Sequence, residues 1–448
     1  MPANKPPIIY IHCHDAGRLI QPHGEAVATP ELQRFAEEGI FFRRAFCAAP
    51  TCSPSRAALL TGRYPHQVGM LGLAHRGFLL NDYADHLGQR LQREGYVTAL
   101  SGVQHVAPFE GYKEMIGYDE DMTIPEGKRG GIAHDEIDRR HAVAAAGYIG
   151  RNAGKAFYLE CGFFFPHRPF PAVPVAENDV TLPSPPPYLP DAPETRADRL
   201  AYGTAMQASD ASFGIVFEAL KRAGLWDSAI IVVTTDHGPA FPWSKCNLND
   251  QGTGVFMMMR LPGRSAPVQT DALVTHLDIR PTIMEVLGLP AEPEAEGKSL
   301  LPLLNNPAAR IHDELFSEVT YHAAYEPLRS VRTERYRYVR RYDTEWKYSV
   351  LPNIDPGPSK ELLLKAGLRD IVLAPEALYD LASDPAEKRN LIDDPALAGV
   401  VSDLKARLEA WMKRTGDPLL AGQVPAPPGA VVTPKSAPCY EVKMTNDE

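Results

Sequence analysis

Strand-like and helix-like segments alternate from the start of the chain, and that alternation limits the fold more than any other feature. The run IIYIHC (8–13) is a short apolar strand ending at His14-Asp15-Ala16-Gly17. A helical pattern follows in TPELQRFAEEG, where Thr29 can cap the helix, Pro30 suits its first turn and Gly39 its end. Next come an amphipathic helix in YADHLGQRLQREGY, the strand VTALSGV and the apolar strand AFYLECGFFF. The long helical pattern RLAYGTAMQASDASFGIVFEALKRAGLWD then leads to the β-branched strand AIIVVTT, which stops at Asp236-His237-Gly238. Such a series implies an α/β domain with a large, mostly parallel, buried central sheet flanked by helices. In sheets of this kind ligands gather at the carboxyl ends of the strands.

With 448 residues, a large domain and a smaller one are expected. The pattern changes near residue 310, where LFSEV, LRSVRTERYRYVRRYD and ALYDLASDPAEKRNLI look like antiparallel strands and turns before the helix VVSDLKARLEAWMKRTG. Residues 1–310 therefore read as the catalytic domain, and 311–448 as a smaller C-terminal α+β subdomain with a short antiparallel sheet. Residues 169–193 are proline-rich and read as a surface excursion, and a proline-rich tail begins near 424. The formal charge of −10 argues against a nucleic-acid or membrane-surface role. No run approaches the length of a spanning helix. The six cysteines are scattered without metal-like or disulfide-framework spacing, and no apolar signal region follows the N-terminus. A cytoplasmic location is the expectation.

Four segments could carry chemistry: His14-Asp15, Cys52 through Arg63, the pair His105 and His167, and Asp236-His237 with Lys245. Aspartate oxygens suit hard cations and imidazole suits Zn2+ or Mn2+. Alone, Asp-His-Gly is also a serviceable turn, and a lone cysteine is most often a small buried hydrophobe.

The stretch CSPSRAALLTGR (52–63) matches the sulfatase signature in every defining position. The resemblance runs on through ATPELQRFAEEG, VTHLDIRPTIMEVLGLP and LYDLASDPAEKRNL, and DHGPAFPWSKCNL and PLRSVRTERYRYVRRYD look closest to the heparan N-sulfatase (sulfamidase) branch. It implies an alkaline-phosphatase-like sandwich. It also implies oxidation of Cys52 to Cα-formylglycine by a separate formylglycine-generating maturation enzyme that recognises Cys52, Pro54 and Arg56. A helix starting near Ser55 would anchor that residue beneath the metal.

By the same resemblance His14, Asp15, Cys52, Asp236 and His237 hold one divalent metal. Arg56 holds the formylglycine hydroxyl, His105 assists sulfate release, His167 protonates the leaving group and Lys245 contacts the sulfate. A hydrated aldehyde has two hydroxyls: one attacks sulfur, and deprotonation of the other expels sulfate. Seryl sulfate lacks that second hydroxyl.

Three positions depart from the family pattern. His14 stands where an aspartate is usual, which brings Mn2+ or Zn2+ forward beside the family's Ca2+. Val103 replaces a sulfate-binding lysine, and Phe165 an acidic residue of the sulfamidase branch. The expected function is hydrolysis of a sulfate ester or sulfamate on a sulfated saccharide. Phosphodiester or phosphonate monoester hydrolysis, and glycan binding without hydrolysis, are the alternatives.

Overall fold

The computed structural model describes residues 5–173, 182–264 and 266–440. The middle of the proline-rich excursion (174–181) and the end of the tail (441–448) lie outside the described residues. The large sheet contains β1 (Ile8–Cys13), β2 (Ile40–Phe46), β3 (Val97–Gly102), β4 (Glu120–Asp121), β5 (Phe157–Gly162), β6 (Ile230–Thr235), β7 (Gly254–Arg260), β8 (Val268–Thr270) and β9 (Val274–Thr275). Their order is β4-β3-β5-β1-β6-β7-β2-β8, with β9 also beside β2. Strand β1 pairs in parallel with both β5 and β6, and β5 with β3. Only β7, among these described strands, runs against its neighbours β6 and β2.

Strands buried on both faces explain the unbroken apolar runs. In β1, Ile9 and Ile11 pack on one side with Leu32, Phe35, Tyr148, Met206 and Phe213. Ile8 and Tyr10 pack on the other with Leu59, Leu60, Leu91 and Ile283. Helices Pro30–Glu38, His134–Asn152 and Pro193–Arg222 thus cover one face, and Cys52–Thr61, Leu87–Arg93 and Ile279–Val286 the other. The fold is the expected sandwich.

A second sheet of four antiparallel strands contains β10 (Glu314–Tyr321), β11 (Tyr325–Thr333), β12 (Tyr336–Arg341) and β13 (Glu376–Asp380), paired in that order. Helix Ala398–Thr415 covers one face with Leu404, Leu408, Trp411 and Met412 against Val331, Tyr338 and Leu378. From the other face Val319 and Leu328 meet Leu248 of the large unit.

Several local expectations need correction. Thr29 takes the N-cap position, but its side chain makes no capping bond; its hydroxyl accepts the Gln21 N–H at 2.9 Å instead. Gly39 does end that helix as expected, in extended backbone. The signature helix starts at Cys52, not near Ser55. Pro54 fits inside the first turn because no intrahelical bond needs its missing N–H there. Helix His134–Asn152 corresponds to no sequence expectation. The proline-rich tail packs back on the molecule: Val431 N–H bonds Arg76 O and Thr433 N–H bonds Ala323 O, each at 2.8 Å.

Candidate active site

Four adjacent parallel strands deliver the candidate residues from their carboxyl ends. In sheet order these are β3 with His105, β5 with His167, β1 with His14 and Asp15, and β6 with Asp236 and His237. Cys13 pairs with Thr235, so the two acidic strand ends lie side by side, and Asp15 N–H donates to Asp236 Oδ1 at 2.9 Å. Asp15 and His105 adopt left-handed backbone at φ 45° and 56°. Non-glycine residues pay about 1–3 kcal/mol for such conformations, which cluster at functional sites.

Cys52 opens the buried helix Cys52–Thr61, which ends at Gly62 in left-handed backbone at φ 70°. The signature residues then divide their work. Ser53 Oγ accepts Ala74 N–H at 3.0 Å, and Ser55 Oγ donates to Asp236 O at 2.5 Å. Arg56 donates from Nη2 to Asp236 Oδ2 at 3.0 Å and from Nη1 to His12 Nδ1 at 2.5 Å. His12 Nε2 faces Glu160 Oε1 at 3.3 Å, and Glu160 Oε2 accepts the Tyr118 and Tyr158 hydroxyls at 2.5 and 3.1 Å. Burial, then the Arg56 charge, keeps His12 neutral well below its ordinary range. Its Nδ1 is therefore free to accept from Arg56 while Nε2–H points at Glu160.

One ligand atom each from His14, Asp15, Cys52 and Asp236 lies within 4.8 Å of the other three, all four residues being buried. Asp15 Oδ1 and His14 Nε2 are buried without hydrogen-bond partners, and His14 Nδ1 lies 3.3 Å from Asp236 Oδ2. Buried polar atoms rarely stay orphaned, so this cluster fits a cation. His237 adjoins it, with Nε2 3.3 Å from Cys52 Sγ and 3.4 Å from Asp15 Oδ1. Its Nδ1 lies 2.9 Å from Gly238 O, which fixes the proton on Nδ1 and leaves Nε2 as a lone pair for a metal.

The charges agree with this arrangement. Burial, followed by Arg56, lowers His14 to about 4. Burial pushes the Cys52 thiol well up, so as translated it is a poor thiolate. Burial would also raise Asp236, but positive charge beside it, from His237 when that ring is protonated and from Arg56, outweighs burial and holds the carboxyl well below its usual range. Lys245 Nζ lies 2.8 Å from Asp15 Oδ2 and 3.3 Å from Asp355 Oδ2. These two carboxylates overcome the burial penalty and keep the lysine charged.

Both remaining histidines reach the cluster. The His14 ring centre lies 5.7 Å from that of His105 and 5.4 Å from that of His167. His105 is held neutral, well below its usual range, by burial and then His75, whose Nδ1 lies 2.9 Å from His105 Nε2. His167 Nδ1 donates to Arg168 O at 2.5 Å, leaving Nε2 facing Asp15 Oδ2 at 3.9 Å as its proton-exchanging atom. Burial lowers its pKa and Asp15 opposes that.

The structure thus gathers all nine candidate residues and adds His12, His75, Glu160 and Asp355. Glu160 had a signal, because one acid inside an otherwise apolar strand demands a buried partner. His12 had one too, as an imidazole two residues before His14 on the same strand. Asp355 lies in a loop with no local pattern around it.

A cation-ready cluster beside a buried nucleophile precursor, with a buried lysine and an arginine at hand, is the layout of a hydrolase for esters of strong inorganic acids. The family profile described as Sulfatase spans residues 8–289, and that described as N-sulphoglucosamine sulphohydrolase, C-terminal, spans 242–374. The chain belongs to the sulfatase family, hydrolases acting on sulfate esters or sulfamates. Human N-sulphoglucosamine sulphohydrolase (Homo sapiens) is 27% identical, over 93% of this chain and 91% of that protein. The solved structure of a 2-O GAG sulfatase shares the fold with a TM-score of 0.72 at 20% identity, covering 95% of this chain and 96% of that one. The phosphonate monoester hydrolase of Agrobacterium radiobacter shares it with a TM-score of 0.68 at 22% identity, covering 93% and 97%. The family implies a formylglycine and a divalent metal, and the cluster supplies a fitting place for both.

Proposed function

We propose that the protein removes sulfate from a saccharide, an N-sulfoglucosamine-like or O-sulfated sugar, using one divalent metal and a formylglycine made from Cys52. The observation that supports this most is Cys52 at the head of its helix, inside the cluster of His14, Asp15 and Asp236. When bound, the ion and the formylglycine supply Lewis acidity and a nucleophile with a second hydroxyl. Ca2+ is the family's ion, and the imidazole of His14 also suits Mn2+ or Zn2+.

The side chains divide the remaining work. Arg56, clamped by Asp236 and His12, orients the group at position 52 and offsets negative charge. Lys245 binds sulfate oxygens at a site that excludes water. Neutral His105 takes the proton during sulfate release, and His167 delivers one from Nε2 to the leaving oxygen or nitrogen. Cys52, Pro54 and Arg56 are buried after folding, so the maturation enzyme must meet them in the unfolded chain. The six unpaired cysteines support a reducing compartment.

The test uses protein produced together with a formylglycine-generating enzyme. Mass spectrometry of the Cys52 peptide reads conversion, and parallel rates on an aryl sulfate, a sulfated glucosamine and an aryl phosphodiester read activity. Conversion with sulfate release is the expected result. Fast diester cleavage with negligible sulfate-ester and sulfamate turnover would overturn the proposal in favour of a phosphonate-type hydrolase.

A further inference from the structure

Two carboxylates compete for Lys245, and only one has an evident reason to be there. Asp15 belongs to the metal cluster. Asp355 comes from the far side of the chain, between the turn Leu351–Asn353 and helix Pro358–Lys365. It is 5% exposed, and its Oδ2, 3.3 Å from Lys245 Nζ, has no hydrogen-bond partner. Its Oδ1 accepts the Tyr440 hydroxyl at 3.3 Å.

A pocket built for sulfate alone gains nothing from a second anion beside its lysine, because like charges in a dry site repel strongly. Asp355 Oδ2 has Lys245 at ion-pair distance but no hydrogen bond, so it can take a better-aligned donor. A substrate can bring that donor on the part that is not sulfate.

We propose that Asp355 Oδ2 forms the subsite for the leaving group, reading a hydroxyl or N–H next to the scissile sulfate and rejecting a second anion there. This rests on the saccharide-sulfatase reading and narrows it to sugars with an uncharged neighbouring position. Asp355 contributes through contact with the sugar, and its pairing with Lys245 keeps the site charge-balanced until substrate arrives.

Calorimetry on the full-length Cys52→Ala chain in Ca2+ buffer compares glucosamine N-sulfate with inorganic sulfate, with and without Asp355→Asn. The expected result is a loss of about tenfold or more for the sugar, while inorganic sulfate binds as before or tighter because Lys245 has lost a competing carboxylate. Equal weakening of both ligands, or no change in the sugar, overturns the proposal. A second measurement needs no variant at position 355. The mature enzyme should prefer glucosamine N-sulfate over glucosamine N,3-disulfate by about tenfold or more in kcat/KM, and an equal or reversed ratio also overturns it. Absence of all sulfate-ester and sulfamate turnover would defeat the activity reading instead, and the calorimetric pair would still decide the subsite.

Discussion

At the residue scale, the side chains around Cys52 act in series. Glu160 faces His12, His12 accepts from Arg56, and Arg56 binds Asp236. Replacing Cys52 by serine tests what the thiol becomes. Cys52→Ser should cut steady-state turnover about a thousandfold or more and leave a sulfated seryl protein visible by mass. Turnover at the native rate would contradict the formylglycine chemistry. Asp138 offers a pH test away from the metal. It accepts Phe164 and Phe165 N–H at 2.7 and 2.9 Å, holding the loop that leads to His167. Burial raises it from 3.8 to about 7. The folded state therefore binds this proton more tightly than the unfolded one. The associated stability is complete below the ordinary carboxylate pKa and is lost as pH rises through about 7. Asp138→Asn should remove that slope. In denaturant unfolding, the native chain's advantage over the variant should shrink from pH 5 to pH 8, and a constant difference would contradict the assignment.

At the element scale, close backbone contact sets where the loops leave the sheet. Val103 N–H bonds Gly162 O at 3.0 Å just past the paired ends of β3 and β5. A Cβ on Gly162 would stand 2.0 Å from Val103 O, a backbone atom that cannot swing away. Gly162→Ala should therefore destabilise the fold by about 3 kcal/mol and misplace both His105 and His167. Its check is thermal unfolding together with turnover. Ser55→Ala is milder. It removes one buried hydrogen bond to Asp236 O and should cost about 1–2 kcal/mol in chemical denaturation. Most of these elements were legible, because apolar runs and amphipathic periods leave clear marks. The antiparallel course of β7 was not, since GVFMMMR is buried throughout and strand direction leaves no trace in a run buried on both faces. Helix His134–Asn152 was overlooked because small and charged residues blur its apolar stripe.

At the scale of the whole molecule, the small sheet completes the site rather than trailing behind it. Asp355 reaches Lys245, and the tail follows it with Tyr440. No described helix is long and apolar enough to cross a membrane. If the cluster of His14, Asp15 and Asp236 holds a cation, chelation should lower Tm, and Ca2+, Mn2+ or Zn2+ should restore it. Ligand at a hundred times its Kd stabilises by about 2.7 kcal/mol, so an unchanged Tm would count against the metal. By itself the sequence determined the α/β class, the nucleophile precursor and the strand ends that carry the ligands, because local periodicity and a contiguous signature are written residue by residue. Only the tertiary structure decided that His12 and Glu160 brace Arg56 and that Asp355 shares Lys245. Those partners lie 44 to 148 positions apart along the chain, and burial and charge pairing between such distant residues arise only when the chain closes on itself.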